Sequence, residues 1–406
     1  MAWRPGGYLR ASGGLLGWML LRAAGQVVLV VTLARLLGAQ GYGRFVAALA
    51  VAVFFVPLAG LGLQGVLLRD LARAPERLPE QLGQALRLWL RSTAVFGIVG
   101  VATAVAVLPR QIPELVLLAF VPAEVASSSL VELLARVEQS QHRTSRFGAM
   151  LAGLVLARLL MLVIYAIRHG TTVAGWMWAY AMGSTGYAAV LLVWAWRTYQ
   201  PRRRSRIEYA LVRKGLPFAW GTLAQRLQTE FNKPVLAQLG YALVGNFTAA
   251  QRAMDIASLP LTAMQEALWP RLYASVDHVG RMLFTAAVLF FLALAGGVVL
   301  YLVAPLLPWV LGQGFGSTMQ LLRWLAWLPA LQVVRNVASF HVIANGRASA
   351  LAWSYVAGAV TSVAATTILA LRHGLAGAVL ALYLAECTVI VLQLVLSSGS
   401  VRKQAM

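Results

Sequence analysis

Gly38-Ala39-Gln40-Gly41-Tyr42-Gly43-Arg44-Phe45-Val46-Ala47-Ala48 and, 202 residues further on, Gly240-Tyr241-Ala242-Leu243-Val244-Gly245-Asn246-Phe247-Thr248-Ala249-Ala250 follow one pattern. Two glycines, a phenylalanine and an alanine pair fall at matched positions, and each copy occupies the interval between two long apolar runs. At a shift of 204, Arg168-His169-Gly170 meets Arg372-His373-Gly374, and Arg143 and Ser145 meet Arg347 and Ser349. Matched turns in the same order imply two copies of one unit.

The runs on either side of these turns are too apolar for a soluble domain. Of 406 residues 60% are hydrophobic and 12% charged, and the mean hydropathy is +0.73, whereas soluble domains are about 25% charged. A membrane span needs about 20 mainly apolar residues. Twelve stretches qualify, at roughly 13–37, 44–66, 90–108, 113–135, 147–167, 172–196, 215–239, 246–270, 282–304, 318–342, 350–371 and 375–396. The expected architecture is an all-α membrane protein with two six-helix lobes, residues 1–200 and 215–406, joined by a basic linker at 201–214. An even number of spans per lobe keeps both copies in the same orientation, related by a pseudo-two-fold axis along the membrane normal.

The charge follows this plan. Lys and Arg number 34 against 13 Asp and Glu, for a net +21. Most of the basic residues sit on every second loop, as at Arg69, Arg73 and Arg77 or Arg197, Arg202, Arg203, Arg204 and Arg206. The alternate loops hold only Arg44, Arg110, Arg168 and Arg372, so the positive-inside rule puts both termini in the cytoplasm. Charge placed by topology is no argument for nucleic acid, and none is expected as a partner; membrane lipids are.

The chemistry of enzymes is thinly represented. Cys387 is the lone cysteine and lies in an apolar run, and the five histidines have no metal-ligand spacing, so no metal or other cofactor is expected. Gly60-Leu61-Gly62-Leu63-Gln64-Gly65 has dinucleotide-loop spacing but no strand before it, which leaves helix-end flexibility or close packing as its reading. Only Asp70, Asp255 and Asp277 represent aspartate, which weakens an embedded glycan polymerase or transferase. The first apolar run is long, interrupted by Arg22 and followed by no small-residue cleavage site, so it reads as a span and not as a secretory signal.

The costly residues lie inside the spans. A charge near the bilayer centre costs roughly 2.5–3.5 kcal/mol on insertion scales, so such residues face a bundle interior or a hydrated cavity. Arg226, Glu230 and Lys233 share one helical face in the seventh span. In the eighth, Gln251, Asp255, Ser258, Thr262 and Gln265 form a polar stripe flanked by Arg252 and Glu266. Two readings stand: a lumen, or ion pairs of Arg226 with Glu230 and Arg252 with Asp255 that cement the lobe. In the first span Arg22, with Gln26 beside it, either lines that lumen or snorkels to the interface. In the tenth, Arg335 with Gln332, Asn336 and Ser339 is expected in the lumen. Arg158 stands alone among apolar neighbours and reads as an anchor; Glu132 and Arg136 read as a structural pair, with Glu124 open; Glu386 is expected to be protonated and hydrogen-bonded to a neighbouring helix. The cationic set Arg22, Arg226, Lys233, Arg252 and Arg335 outweighs Glu230 and Asp255, so the lumen should prefer an anion such as a phosphate or pyrophosphate.

Leu36-Leu37-Gly38-Ala39-Gln40-Gly41-Tyr42-Gly43-Arg44-Phe45 resembles the first-loop motif of polysaccharide transporters, the oligosaccharide flippases of the multidrug/oligosaccharidyl-lipid/polysaccharide exporter superfamily. Val244-Gly245-Asn246-Phe247 with Ala249-Ala250, and Trp269-Pro270, are similar to its second-half counterpart. The resemblance implies a V-shaped transporter of the bacterial inner membrane that moves a polyprenyl-pyrophosphate-linked oligosaccharide by alternating access, with glycan polymerases or glycosyltransferases as partners. It further implies substrate-binding roles for Arg22, Arg226 and Arg252, to which the charge pattern adds Lys233 and Arg335; Glu230 and Asp255 would tune or couple an ion; Gln26, Gln251, Thr262 and Asn336 would be polar lining. Some drug-exporting relatives couple to cations through an acid on the first helix, and residues 13–37 contain none. A cation-coupled multidrug exporter is thus the alternative, and an enzyme the remoter one.

Overall fold

The computed structural model describes residues 5–202, 209–262, 264–265, 278–344 and 347–398, and among them the ordered elements are helices with no strand. The expectations placed on Glu266, Trp269-Pro270 and Arg203, Arg204 and Arg206 lie outside the described residues. The helices are α1 (Pro5–Ala59), α2 (Leu63–Arg73), α3 (Leu78–Val107), α4 (Glu114–Ser140), α5 (Thr144–Ile167), α6 (Val173–Tyr199), α7 (Tyr209–Glu230) and α8 (Asn232–Leu239). They continue as α9 (Tyr241–Ala257), α10 (His278–Val303), α11 (Leu306–Leu311), α12 (Ser317–Leu325), α13 (Leu328–Ala344), α14 (Ala348–Ala365) and α15 (Leu371–Ser398), with a π-turn at Thr366–Ala370.

Helix ends depart from hydropathy where a crossing is built from two pieces. The first two expected spans are two helices that follow one another within α1, separated at Gly38, whose backbone is non-helical with φ 65°. The seventh is α7 and α8 on either side of Phe231, and the tenth is α12 and α13. Among the described residues six segments are long and apolar enough to cross a membrane, and Gly14–Arg73 and Ala350–Leu396 are each long enough for two crossings. α6, rich in Trp, Tyr and Gly, and the charged α7–α9 and α12–α13 are not among them.

The chain divides into two compact units: Met1–Leu37 with Ala47–Leu223, and Gly38–Val46 with Ala224–Met406. The division falls inside α7, and the turn after the first span, Gly38–Val46, belongs to the second unit. In the first unit α4 is the centre, packed by α2, α3, α5 and α6. Leu67, Leu71, Leu82, Leu130, Leu134 and Trp89 fill its core, and Trp89 donates to Ser129 at 2.8 Å. In the second unit α10 meets α13 through Leu289, Ala293, Ala330 and Val333, while α14, α13 and α15 pack together.

In lipid, apolar side chains gain little from leaving their solvent, so close backbone packing and polar contacts count for more. The repeated glycines are explained by this. Gly38 and Gly240 hold positive φ, 65° and 143°, where one helix ends and the next begins. Five residues on, Gly43 and Gly245 bring two backbones into contact: a Cβ on Gly43 would stand 1.7 Å from Tyr241 O, and one on Gly245 2.2 Å from Ala39 O. The 60–65 glycine pattern is likewise a break, with Gly62 at φ 64° and its absent Cβ directed 2.1 Å from Gly215 O.

Candidate functional site

In the second unit the polar site is built where α7 gives way to α8. Glu230 closes the first helix and Lys233 opens the second, and the ammonium donates to the carboxylate although Lys233 is only 2% exposed. Glu230 thus pairs with Lys233, a partner that the reading of Arg226 with Glu230 does not include. Arg226 stands one turn before Glu230 and is half-buried. On α9, Arg252 and Asp255 approach to 3.8 Å with side chains 41% and 45% exposed, so this pair remains accessible.

Uncharged polar groups thicken the cluster. Gln251 Nε2 donates to Thr229 O at 3.3 Å, joining α9 to α7. Its Oε1, both amide atoms of the buried Asn232, Gln228 Nε2 and Thr248 Oγ1 are buried without a hydrogen-bond partner among the described residues. Buried polar atoms are nearly always satisfied, so a concentration of exceptions marks a place suited to water or a polar ligand. Hydropathy and charge spacing do not reveal these amides; the helix break after Glu230, which turns Asn232 inward, does. Thr262 is exposed and returns its hydroxyl to Ser258 O at 3.2 Å.

Arg335 is positioned differently. Its Nη1 donates to both oxygens of Glu386, at 2.8 and 2.9 Å, and Asn336 donates to Gln265 at 2.8 Å. Its charge is therefore matched within the unit, and Glu386 is hydrogen-bonded to a neighbouring helix, as expected, but as the acceptor of an ion pair with Arg335. Counting Glu386, the second unit sets Arg226, Lys233, Arg252 and Arg335 against Glu230, Asp255 and Glu386, leaving one positive charge, a smaller excess than the sequence count.

In the first unit Arg22 is half-buried and Gln26 exposed on α1. The larger finding is Arg158, which is no isolated anchor. It reaches Glu124 at 2.6 Å and Ser184 at 2.9 Å, and lies 4.4 Å over the Tyr180 ring, while Tyr180 itself donates to Glu124 at 2.9 Å. Arg136 donates to Gln139 at 2.6 Å. Ser128, one turn from Glu124 and bonded to it at 2.7 Å, is the one local hint of this network in the sequence.

Comparison with known proteins extends the geometry. No curated protein matches the chain in sequence. Among solved structures, an inward-facing multidrug resistance MATE family transporter of the MOP superfamily aligns with a TM-score of 0.69 at 18% identity, covering 95% of this chain and 98% of that one. The lipid II flippase MurJ in an inward closed conformation aligns with a TM-score of 0.77 at 11% identity, covering 95% and 87%. A MOP superfamily transporter from Pyrococcus furiosus reaches 0.64 at 15% identity, covering 96% and 95%. These likenesses establish a shared two-lobed helical fold. The model of the family described as polysaccharide biosynthesis protein matches residues 15–276. Matching more than half of the sequence, on the fold of that transporter superfamily, it shows that the chain belongs to the polysaccharide biosynthesis protein family.

Proposed function

We propose that the protein is a lipid-linked oligosaccharide flippase, carrying a polyprenyl-pyrophosphate-linked sugar across the bacterial inner membrane by alternating access during surface polysaccharide export. The observation that carries this reading is the cluster on α7–α9: Lys233 buried against Glu230, Arg226 and Arg252 beside them in sequence register, and unpartnered amides among them. Guanidinium groups take phosphate oxygens in bidentate fashion. Arg226, Lys233 and Arg252 hold the pyrophosphate, Gln251 and Asn232 its sugar or water shell, and Glu230 and Asp255 tune those cations or carry a coupling ion. Arg335, committed to Glu386, supports Asn336 and takes no direct part. Arg22 is a separate candidate contact on the first helix, and glycan polymerases or glycosyltransferases are the partners that would supply or consume the substrate. Both termini lie on the cytoplasmic side.

A lipid II flippase among the structures of like fold supports a lipid-linked cargo; the multidrug transporters there support drug export. The residual positive charge and the lack of an acid at 13–37 disfavour cationic drugs.

Proteoliposomes holding the purified protein should translocate a labelled undecaprenyl-pyrophosphate sugar. Removing one charge-assisted contact, worth about 1.5–3 kcal/mol, predicts that Arg226→Ala slows translocation roughly tenfold or more with an unchanged melting temperature. Equal rates in the variant would overturn the site. Efflux of a cationic dye, with no sugar-lipid transfer, would overturn the substrate.

A further inference from the structure

The second unit holds an open cavity of about 950 Å³, where α10 ends, α12 begins and α15 passes beside them. None of the charged residues of the α7–α9 cluster lines it. Its walls are aromatic: Tyr301 from α10, Trp324 and Trp327 around the end of α12, and Tyr383 from α15, which donates to Trp324 O at 2.8 Å. Val379 and Leu380 add an apolar floor.

Arg323 is the one charged residue of the lining. Its guanidinium carbon lies 4.8 Å from the Tyr301 ring centroid, and its Nε is buried without a hydrogen-bond partner among the described residues. Among the described residues no ion pair includes it. A half-buried cation stacked on an aromatic face, with no acid paired to it among the described residues, calls for an anion. The position narrows the choice. The cavity lies at the ends of spans farthest along the helices from the basic loops, where tryptophan and tyrosine mark the boundary between hydrocarbon and headgroups. Trp324 and Trp327 are 37% and 39% exposed, so the aromatic wall is open to a neighbouring molecule. A single phosphate beside apolar chains matches one cation, a belt of amphipathic rings and an aliphatic floor. A neutral sugar would leave Arg323 without its counter-charge, and Gln320 is the only other strongly polar side chain in the lining.

We propose that this cavity binds the headgroup of an anionic phospholipid, with its phosphate on Arg323 and the first carbons of its chains against Trp324 and Leu380. The site is independent of the sugar-lipid reading, because it shares no residue with the α7–α9 cluster.

The test is native mass spectrometry of the full-length protein, extracted from nanodiscs of phosphatidylcholine containing phosphatidylglycerol and titrated with each lipid. One phosphatidylglycerol should be retained in preference to phosphatidylcholine. Loss of a charged hydrogen-bond donor predicts roughly tenfold weaker retention in Arg323→Gln. Arg372→Gln, which removes an exposed cation outside the cavity, should bind as the wild type does. Should Arg323→Gln fail to give folded protein, Arg323→Lys should bind with intermediate strength, since it keeps the charge but loses the planar fork. Equal retention of the two lipids, undiminished binding in both Arg323 variants, or tryptophan quenching by a neutral oligosaccharide and not by phosphatidylglycerol would overturn the proposal.

Discussion

In the first unit Arg158 crosses from α5 to Glu124 on α4 and is held against Ser184 and Tyr180 of α6, so one ionic contact ties three helices. In the second, Glu230 meets Lys233 three residues along the chain, and Arg252 faces Asp255 on its own helix. A cross-helix pair with its oxygens and nitrogens occupied is cement: it exists only when the packing does. Pairs within one helix or across a single break hold little tertiary structure together, so their charges remain available to a ligand. Burial of charge alone does not reveal which role a pair plays; the span of the pair does.

That contrast is exposed to experiment. The largest effect is expected from Arg158→Met, which strands a carboxylate only 3% exposed; breaking such a pair costs about 3–5 kcal/mol. Thermal unfolding in detergent should show it, and adding Glu124→Gln should recover part of the loss. A wild-type melting temperature in the single variant would remove the distinction. Glu386→Gln, which breaks the other cross-helix pair, should cost about 2 kcal/mol, less than Arg158→Met because Arg335 is 20% exposed and can be solvated. Asp255→Asn, in a pair more than 40% exposed on both sides, should change stability by less than about 1 kcal/mol while measurably slowing sugar-lipid translocation. A variant at Asp255 that unfolds the protein without affecting the folded fraction's transport would reverse the assignment.

The sequence carried the fold further than the site. Hydropathy and the Gly43/Gly245 repeat locate the helices because both are local, and the misplacements occur where a crossing is assembled from two pieces, as at Phe231 and between Leu325 and Leu328. The charge clusters on α7 and α9 are legible because residues three or four apart on a helix face one another. The same rule could not choose between Arg226 and Lys233 as the partner of Glu230, since both satisfy it. Arg158 with Glu124, and Arg335 with Glu386, are separated by 34 and 51 positions. Nothing local connects them, which is why one arginine looked like an anchor and the other like a free lumen cation. Packing, not spacing, supplies those partners.

The contact at Gly43 and Gly245 also sets what variation the chain can tolerate there. Elsewhere in the helices a change of one apolar residue for another of similar volume is absorbed by neighbouring side chains or by lipid. Here the opposing surface is a peptide oxygen, which has no rotamers with which to yield. The clearance is fixed by a missing atom. Along this short stretch size governs and polarity is almost irrelevant: alanine, the mildest replacement by any hydropathy scale, is already a wedge between the two strands of chain, and each added methyl group drives it deeper.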